Sequence, residues 1–305
     1  MTQANHITQE LYAIGIDLGG TRIKGIAIHP GGEVLEQVYT ATSDGAGQPW
    51  KEAVRDTVAQ LAQGLAGKKW VVGISAPGIP NEANTAISYM PGRLLGLEGF
   101  VWGDFLGHPT YVANDAIAAM AAEALFGEAR DMDHAILLTL GTGVGGAILV
   151  NGQLYQGAFQ KAGHLGHISV DHAGEPDICN LPGSLEDAIG NCSISKRSLG
   201  HYQFTHELLA HYQQGDPFAT WLWLDSVRKL AISIAGLANV LSPRKVILSG
   251  GITDAGDDLF TPLQKFLSLY EWRAGGNSVI LCRAKFGNLS GAIGAASFAL
   301  MKAEA

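Results

Sequence analysis

Residues 134–157 read HAILLTLGTGVGGAILVNGQLYQG. An apolar run breaks at a turn carrying Gly141, Gly143, Gly145 and Gly146, and AILV then continues as a second strand. No helix begins at the last glycine and no Gly-Lys-Ser/Thr occurs, so the turn is neither a dinucleotide-binding fingerprint nor a P-loop. What decides the fold is that the chain opens in the same way. YAIGID (12–17) runs into Gly19-Gly20, IKGIAIHP alternates as a strand, PGGEV turns, and VLEQVYTA forms a third strand. Helix and strand signals follow each meander. Residues 50–67 place Val54, Val58, Leu61 and Leu65 at helical spacing before Gly67, WVVGISAPG reads as a strand, and PTYVAND leads into the helix AIAAMAAEALFGE. After the second meander come mixed helices, a long helix over 219–241, the strand KVILSGGI and a closing helix SGAIGAASFALMKA.

This pattern predicts a duplicated α/β fold, with two mixed β-sheets each flanked by helices. The boundary is expected within 116–130, giving domains 1–118 and 119–305. The second would carry a polar, Gly/Pro-rich insertion over 157–190, and the C-terminal helix at about 290–305 would return to the first.

Composition narrows the function classes. The 305 residues are 47% hydrophobic and 16% charged, which describes a globular chain with room for two cores. Net charge is 20 − 28 = −8, which argues against nucleic acid as a partner. Three widely spaced cysteines make no disulfide framework. The N-terminal MTQANHITQELYAIG has neither a basic segment nor an apolar core of a leader, and no apolar run reaches the roughly 20 residues that a spanning helix needs. A cytoplasmic protein with no membrane contact is expected. Trp221 to Leu224, opening the long helix, suit a core or a homodimer interface.

Three glycine turns at strand ends could handle phosphate. In IGIDLGGTRIKG (14–25), Gly19 and Gly20 let backbone N–H groups approach an anion without a Cβ in the way, and Thr21 and Lys24 add polar groups. Asp17 faces the same space and could hold Mg²⁺. The turn at 139–146, with Thr142 and Gly143, is the second, and Gly250-Gly251 is the third. Singly, each could be an ordinary hairpin. Asp115, at a strand end beside Asn114, could equally be a helix cap or a general base.

The ordered set of motifs carries more than its parts. Asp17-Leu-Gly-Gly-Thr21, Ala76-Pro-Gly78, Ala113-Asn-Asp-Ala116, Leu140-Gly-Thr-Gly-Val-Gly-Gly146, Gly163-His-Leu-Gly-His167, Pro182-Gly-Ser-Leu-Glu186 and Leu248-Ser-Gly-Gly251 resemble the ROK sugar kinases over residues 12–300. That family belongs to the actin, hexokinase and heat-shock chaperone ATPase superfamily. The resemblance implies two RNase H-like domains with an interdomain cleft, and ATP-dependent phosphorylation of a hexose or amino-hexose in the manner of a glucokinase. It assigns Asp115 as general base. Asn114, Gly78, His164, His167 and Glu186 would contact the sugar. Asp17 (with Mg²⁺), Gly19, Gly20, Thr21, Lys24, Thr142, Gly143, Gly250 and Gly251 would contact ATP.

The chain departs from the family pattern at two places. Where relatives carry a Glu followed by a zinc-binding His and three Cys, this sequence has His164, His167, Asp177, Cys179 and Ser184, and the sugar-contacting Glu186 remains. Two of three thiolates are missing, so a structural zinc is not expected. A retained mixed site would have to recruit His172 or Cys192. Tyr89 stands where the family tends to have Asn, and His164 resembles the N-acetylmannosamine kinases, so N-acetylmannosamine or another non-glucose hexose is an alternative substrate. A transcriptional repressor of this family would need a DNA-binding domain before Asp17, and only 16 residues precede it. A catalytically idle sugar-binding sensor is the remaining alternative.

Overall fold

A computed structural model describes residues 10–304 except 46 and 93. The terminal stretch 1–9, part of the segment in which no leader is read, lies outside the described residues. By contacts the chain divides into two units. One runs to Asp131 and includes Leu154–Ala162 and the segment from Lys285 onward; the other comprises Met132–Gln153 and Gly163–Ala284.

The first unit is built on strands β1 (Leu11–Leu18), β2 (Arg22–Ile28), β3 (Val34–Ala41), β4 (Lys69–Ser75) and, after the two-stranded hairpin of β5 (Ile79–Pro80) and β6 (Ile87–Tyr89), β7 (Thr110–Ala113). The sheet order is β3-β2-β1-β4-β7. The β1–β2 and β2–β3 pairs are antiparallel, whereas β4 and β7 continue parallel to β1. Helices α1 (Pro49–Gln63), α2 (Trp102–Leu106) and α3 (Asp115–Phe126) belong to the same unit. β1 reads as a continuous apolar run because both its faces are covered. Ile14, Ile16 and Leu18 pack with Trp50, Val54 and Leu61 of α1. Ala13 packs with Ala122 of α3 and with Ala292 and Ala296 of the last helix, Ser290–Ala303. The edge strand β3 alternates half-buried and exposed, as one solvated face requires.

The second unit repeats the plan. Strands β8 (Ala135–Leu140), β9 (Val144–Val150), β10 (Gln153–Leu154), β11 (Lys245–Ser249) and β12 (Ile280–Arg283) lie in the order β10-β9-β8-β11-β12. β9 is antiparallel to β8, and β11 and β12 are parallel to it. Helices α4 (Leu185–Ile189), α5 (Ile194–Arg197), α6 (Thr205–Gln213), α7 (Pro217–Leu241) and α8 (Asp257–Tyr270) precede the last helix, α9. Leu222, Val227, Leu230 and Ile234 of α7 and Leu259, Leu263 and Leu267 of α8 close over Ile136, Leu138, Val246 and Leu248.

The fold class is the one expected, with four local differences. The boundary at 118/119 would cut α3 in two, whereas α3 stays whole because its apolar face packs against α9, and the division falls after Asp131. Residues 157–162, expected at the start of the insertion, group with the first unit along with 154–156. The first helix ends at Gly64, three residues before the expected Gly67. α8 and β12 have no counterpart in the sequence reading. β12 is an edge strand with weak burial, and α8 carries Pro262, a residue that normally stops a helix. Pro262 has no N–H for the carbonyl of Asp258. The indole Nε1 of Trp223 donates to that oxygen instead, at 2.9 Å, so α7 repairs the gap in α8. Trp223→Phe should therefore cost about 1–3 kcal/mol in urea unfolding through the orphaned carbonyl. An unchanged midpoint would show that the indole is only packing there.

Candidate active site

Strand register brings the first unit's polar residues to one edge. Asp17 pairs with Ser75, and Ser75 with Ala113, so β1, β4 and β7 end level with one another at their carboxyl ends. In open α/β sheets this is the edge at which ligands bind. Asn114 and Asp115 follow immediately. Asn114 is the cap of α3, its side-chain oxygen accepting the Ile117 N–H at 2.7 Å. The capping role that the sequence left open for Asp115 is thus filled by its neighbour. Asp115 is the first residue of α3, and its Oδ1 accepts the Ala116 N–H at 2.9 Å.

Asp17 lies against the first turn of α9, where a Cβ on Gly291 would collide with its carboxylate. Lys24 sits opposite Asp17 across the β1–β2 register, with Nζ 3.6 Å from Asp17 Oδ2 and donating to the Asn288 carbonyl at 2.8 Å. Burial pushes the Asp17 carboxyl upward, Lys24 opposes this, and the charge of Asp115 adds to the rise. The two acids therefore repel one another across the strand ends. The Gly19–Thr21 turn is braced from β3's end, with the Thr42 hydroxyl donating to the Gly19 carbonyl at 2.7 Å and Gly19 N–H to the Arg22 carbonyl. A Cβ on Gly20 would meet nothing, so this stretch of backbone is open to a ligand. Gly78 takes φ 106°, in the left-handed region, and turns tightly beside Tyr89, which is 59% exposed on the short hairpin.

The second unit has its own turns. Gly141 N–H donates to the Gly143 carbonyl at 3.0 Å, and the Thr139 hydroxyl oxygen accepts from Gly145 N–H. Thr142 is exposed at the tip. Gly250, at φ 91°, turns against the carbonyl of Leu140, its own carbonyl accepts from the Thr253 hydroxyl, and Gly251 is open. Glu186 lies in the first turn of α4, which Ser184 caps, and its Oε2 accepts the Val144 N–H at 2.9 Å. His164 begins the short turn Leu165–His167. The structure thus gathers Asp17, Lys24, Asn114 and Asp115 in one unit, and Thr142, Gly143 and Glu186 in the other. The crowding of Asp17 by Gly291 and the reach of Glu186 to Val144 were not expected from sequence. Both join residues far apart in the chain, and a glycine at the contact is the only local sign.

The histidine-cysteine loop has a different internal logic. One ligand atom each from His167, Asp177 and Cys179 lies within 4.8 Å of the others. The Asp177 carboxylate is already engaged. Oδ1 accepts the N–H groups of Cys179 (2.8 Å) and Leu181 (2.9 Å), Oδ2 stands 3.2 Å from His167 Nδ1, and the Ser184 hydroxyl donates to it as well. Burial opposes its charge, yet these donors hold its carboxyl below the usual range. Ser184 Oγ also accepts from Asp187 N–H, and Cys179 Sγ is 3.7 Å from the other imidazole nitrogen. A structural zinc needs four closed ligands, and this loop offers one thiol and one imidazole beside a carboxylate already spent on backbone donors, so these residues do not fit one. The loop is fastened otherwise: Pro176 bridges Pro182, and Lys196 joins Glu175 (3.1 Å) to Asp187 (3.3 Å). Elemental analysis should find no stoichiometric zinc, and a chelator should leave the melting temperature unchanged. Asp177→Ala should cost about 2–4 kcal/mol by stranding buried donors. One zinc per chain, or a chelator-sensitive Tm, would overturn this.

The sequence profile of the ROK family matches residues 13–302. A glucokinase of Thermotoga maritima is 30% identical over 282 residues, covering 84% of this chain and 87% of its own. Among solved structures, the ROK hexokinase from Thermus thermophilus superposes with a TM-score of 0.83 at 27% identity, covering 96% of this chain and 99% of that one. A ROK family glucokinase from Streptomyces griseus, in complex with glucose and AMPPNP, gives 0.76 at 26% identity, covering 94% and 98%.

Proposed function

The chain belongs to the ROK family, and from that premise we propose that it is a sugar kinase transferring the γ-phosphoryl group of ATP to a hydroxyl of a hexose or amino-hexose. The observation that carries this reading is the placement of Asp17 and Asp115 at the level carboxyl ends of parallel strands, where the charge of Asp115 adds to the rise that burial gives the Asp17 carboxyl. Repulsion between like charges is relieved when a divalent cation or a proton arrives, and a kinase supplies both. A sugar hydroxyl is a weak nucleophile until its proton has somewhere to go. Asp115 is the acceptor: as the hydroxyl oxygen bonds to the γ-phosphorus, the bond to the bridging oxygen breaks, ADP leaves, and the proton rests on the Asp115 carboxylate before passing to solvent. Asn114 keeps its oxygen on the helix cap and offers its amide N–H to the sugar.

Mg²⁺ bound with ATP would screen phosphate charge beside Asp17. Lys24, held by Asp17 and the Asn288 carbonyl, fixes that carboxylate's direction. The glycine turns at 19–21, 141–143 and 250–251 supply backbone donors to nucleotide and phosphate. Gly78, His164, His167 and Glu186 are the further groups assigned to the sugar. Of these, His167 already faces Asp177 and Cys179, so it acts through the loop more than as a donor to substrate. The relatives named glucokinase favour glucose as a first substrate to test. Tyr89 and His164 are the residues that would shift the preference. Coupled ADP release over a panel of glucose, mannose and N-acetylmannosamine tests the proposal. Tight sugar binding with no turnover on any member would sink it in favour of an idle sensor.

A further inference from the structure

The segment that follows the histidine-cysteine loop grips the second glycine turn at three points. Asn191 N–H donates to the Gly141 carbonyl at 3.0 Å, Cys192 N–H donates to the Thr142 carbonyl at 2.7 Å, and Glu186 Oε2 accepts the Val144 N–H at 2.9 Å. Two of these ties are backbone to backbone and do not depend on a side chain, failing only if proline removes the N–H. The third depends on one side chain. It also depends on Gly143, because a Cβ there would strike Glu186 Oε2. Gly143 does not have positive φ, so its lack of a side chain answers to space for the carboxylate, not to backbone conformation.

A carboxylate beside a turn that takes phosphate is a poor choice for direct contact, since like charges repel. Its orientation explains its presence, because one oxygen is spent on an N–H of the turn itself. We propose that Glu186 is a positioning residue for this turn, holding the backbone of 141–144 in the form that accepts nucleotide phosphate and tying that form to α4. The inference rests on the kinase reading for the identity of the ligand. Because α4 is also the element assigned to the sugar, occupancy of Glu186 Oε1 by a sugar hydroxyl would stiffen the same carboxylate that sets the turn.

The test separates hydrogen bond from charge. Glu186→Ala removes the acceptor, Glu186→Gln keeps an oxygen for Val144 N–H while removing the charge, and Gly143→Ala displaces the carboxylate while leaving Glu186 itself unsubstituted. Titration calorimetry with AMPPNP, without sugar, should show affinity about tenfold weaker for Glu186→Ala and Gly143→Ala, the scale of one hydrogen bond to a charged acceptor. Glu186→Gln should bind as well as the native chain or better. Gly143→Ala in the Glu186→Ala background should add less than about twofold, since both remove the same contact. Amide exchange at Val144 should quicken in Glu186→Ala and not in Glu186→Gln. Native AMPPNP affinity and native Val144 exchange in Glu186→Ala would overturn the inference, as would an equal loss of affinity in the Gln variant. A native chain that binds no AMPPNP would instead overturn the kinase reading, and Val144 exchange would still report whether Glu186 sets the turn.

Discussion

Asp115→Asn should lower kcat by about 10²- to 10⁴-fold on whichever sugar proves best, with the sugar KM moving by less than about threefold. The structure makes this a clean substitution. The carboxamide oxygen can still accept the Ala116 N–H that Asp115 Oδ1 accepts at 2.9 Å, and the cap of α3 belongs to Asn114 and is untouched. Stability should therefore stay within about 0.5 kcal/mol of the native chain, as for a surface change away from any special feature. What is lost is the group proposed to take the proton, and relief of the Asp17 carboxyl from its neighbour's charge would do nothing to replace it. Steady-state ADP release at saturating sugar reads the effect directly. Full activity in the Asn variant would end the assignment of Asp115. The neighbouring change, Asn114→Ala, should behave differently, because it removes the cap at a cost of about 1 kcal/mol as well as an amide N–H.

The repeat was legible because its central strands are buried on both faces. LYAIGIDL and AILLTL are apolar almost throughout, and such runs ending in glycine turns stand out against any background. The placement of Asn114 and Asp115 between a short strand and a helix was legible in YVAND, whereas the roles proposed for them come from the family resemblance. α8 and β12 were not legible, because Pro262 looks like a helix stop until Trp223 is known to serve the Asp258 carbonyl. The Glu186 contact was hidden by a separation of 42 positions along the chain. Asp177 shows both limits. Its place in a cysteine pattern was readable, yet the donors that occupy its carboxylate come from the folded loop and from no local signal.

The largest stability effect should come from Gly73→Val. Gly15 of β1 and Gly73 of β4 are partners in register, and together they form a bare strip of sheet. On that strip lies the backbone of α9. A Cβ at Gly73 would overlap the carbonyl of Ala295, and one at Gly15 would overlap the carbonyl of Ala292 and the amide of Ala296. One layer further out, a Cβ at Gly294 would overlap the carbonyl of Ala118 in α3. In each case the obstacle is main chain inside a helix, which cannot rotate aside as a side chain can. Overfilling a core commonly costs about 1–3 kcal/mol even where side chains can adjust, so Gly73→Val should exceed 3 kcal/mol and Gly73→Ala should approach it. Gly25 is the control, because the atoms nearest its Cβ would be side-chain ends of Thr57, Leu61 and Ile16, which can give way, and Gly25→Ala should cost about 1–2 kcal/mol. Urea unfolding of the three variants separates the cases, and a Gly73→Ala chain within 1 kcal/mol of native would show that α9 shifts freely. Such a shift has its own signature. α9 also carries Gly291, whose missing side chain makes room for Asp17, so any variant that displaces the helix and still folds should lose AMPPNP affinity along with stability.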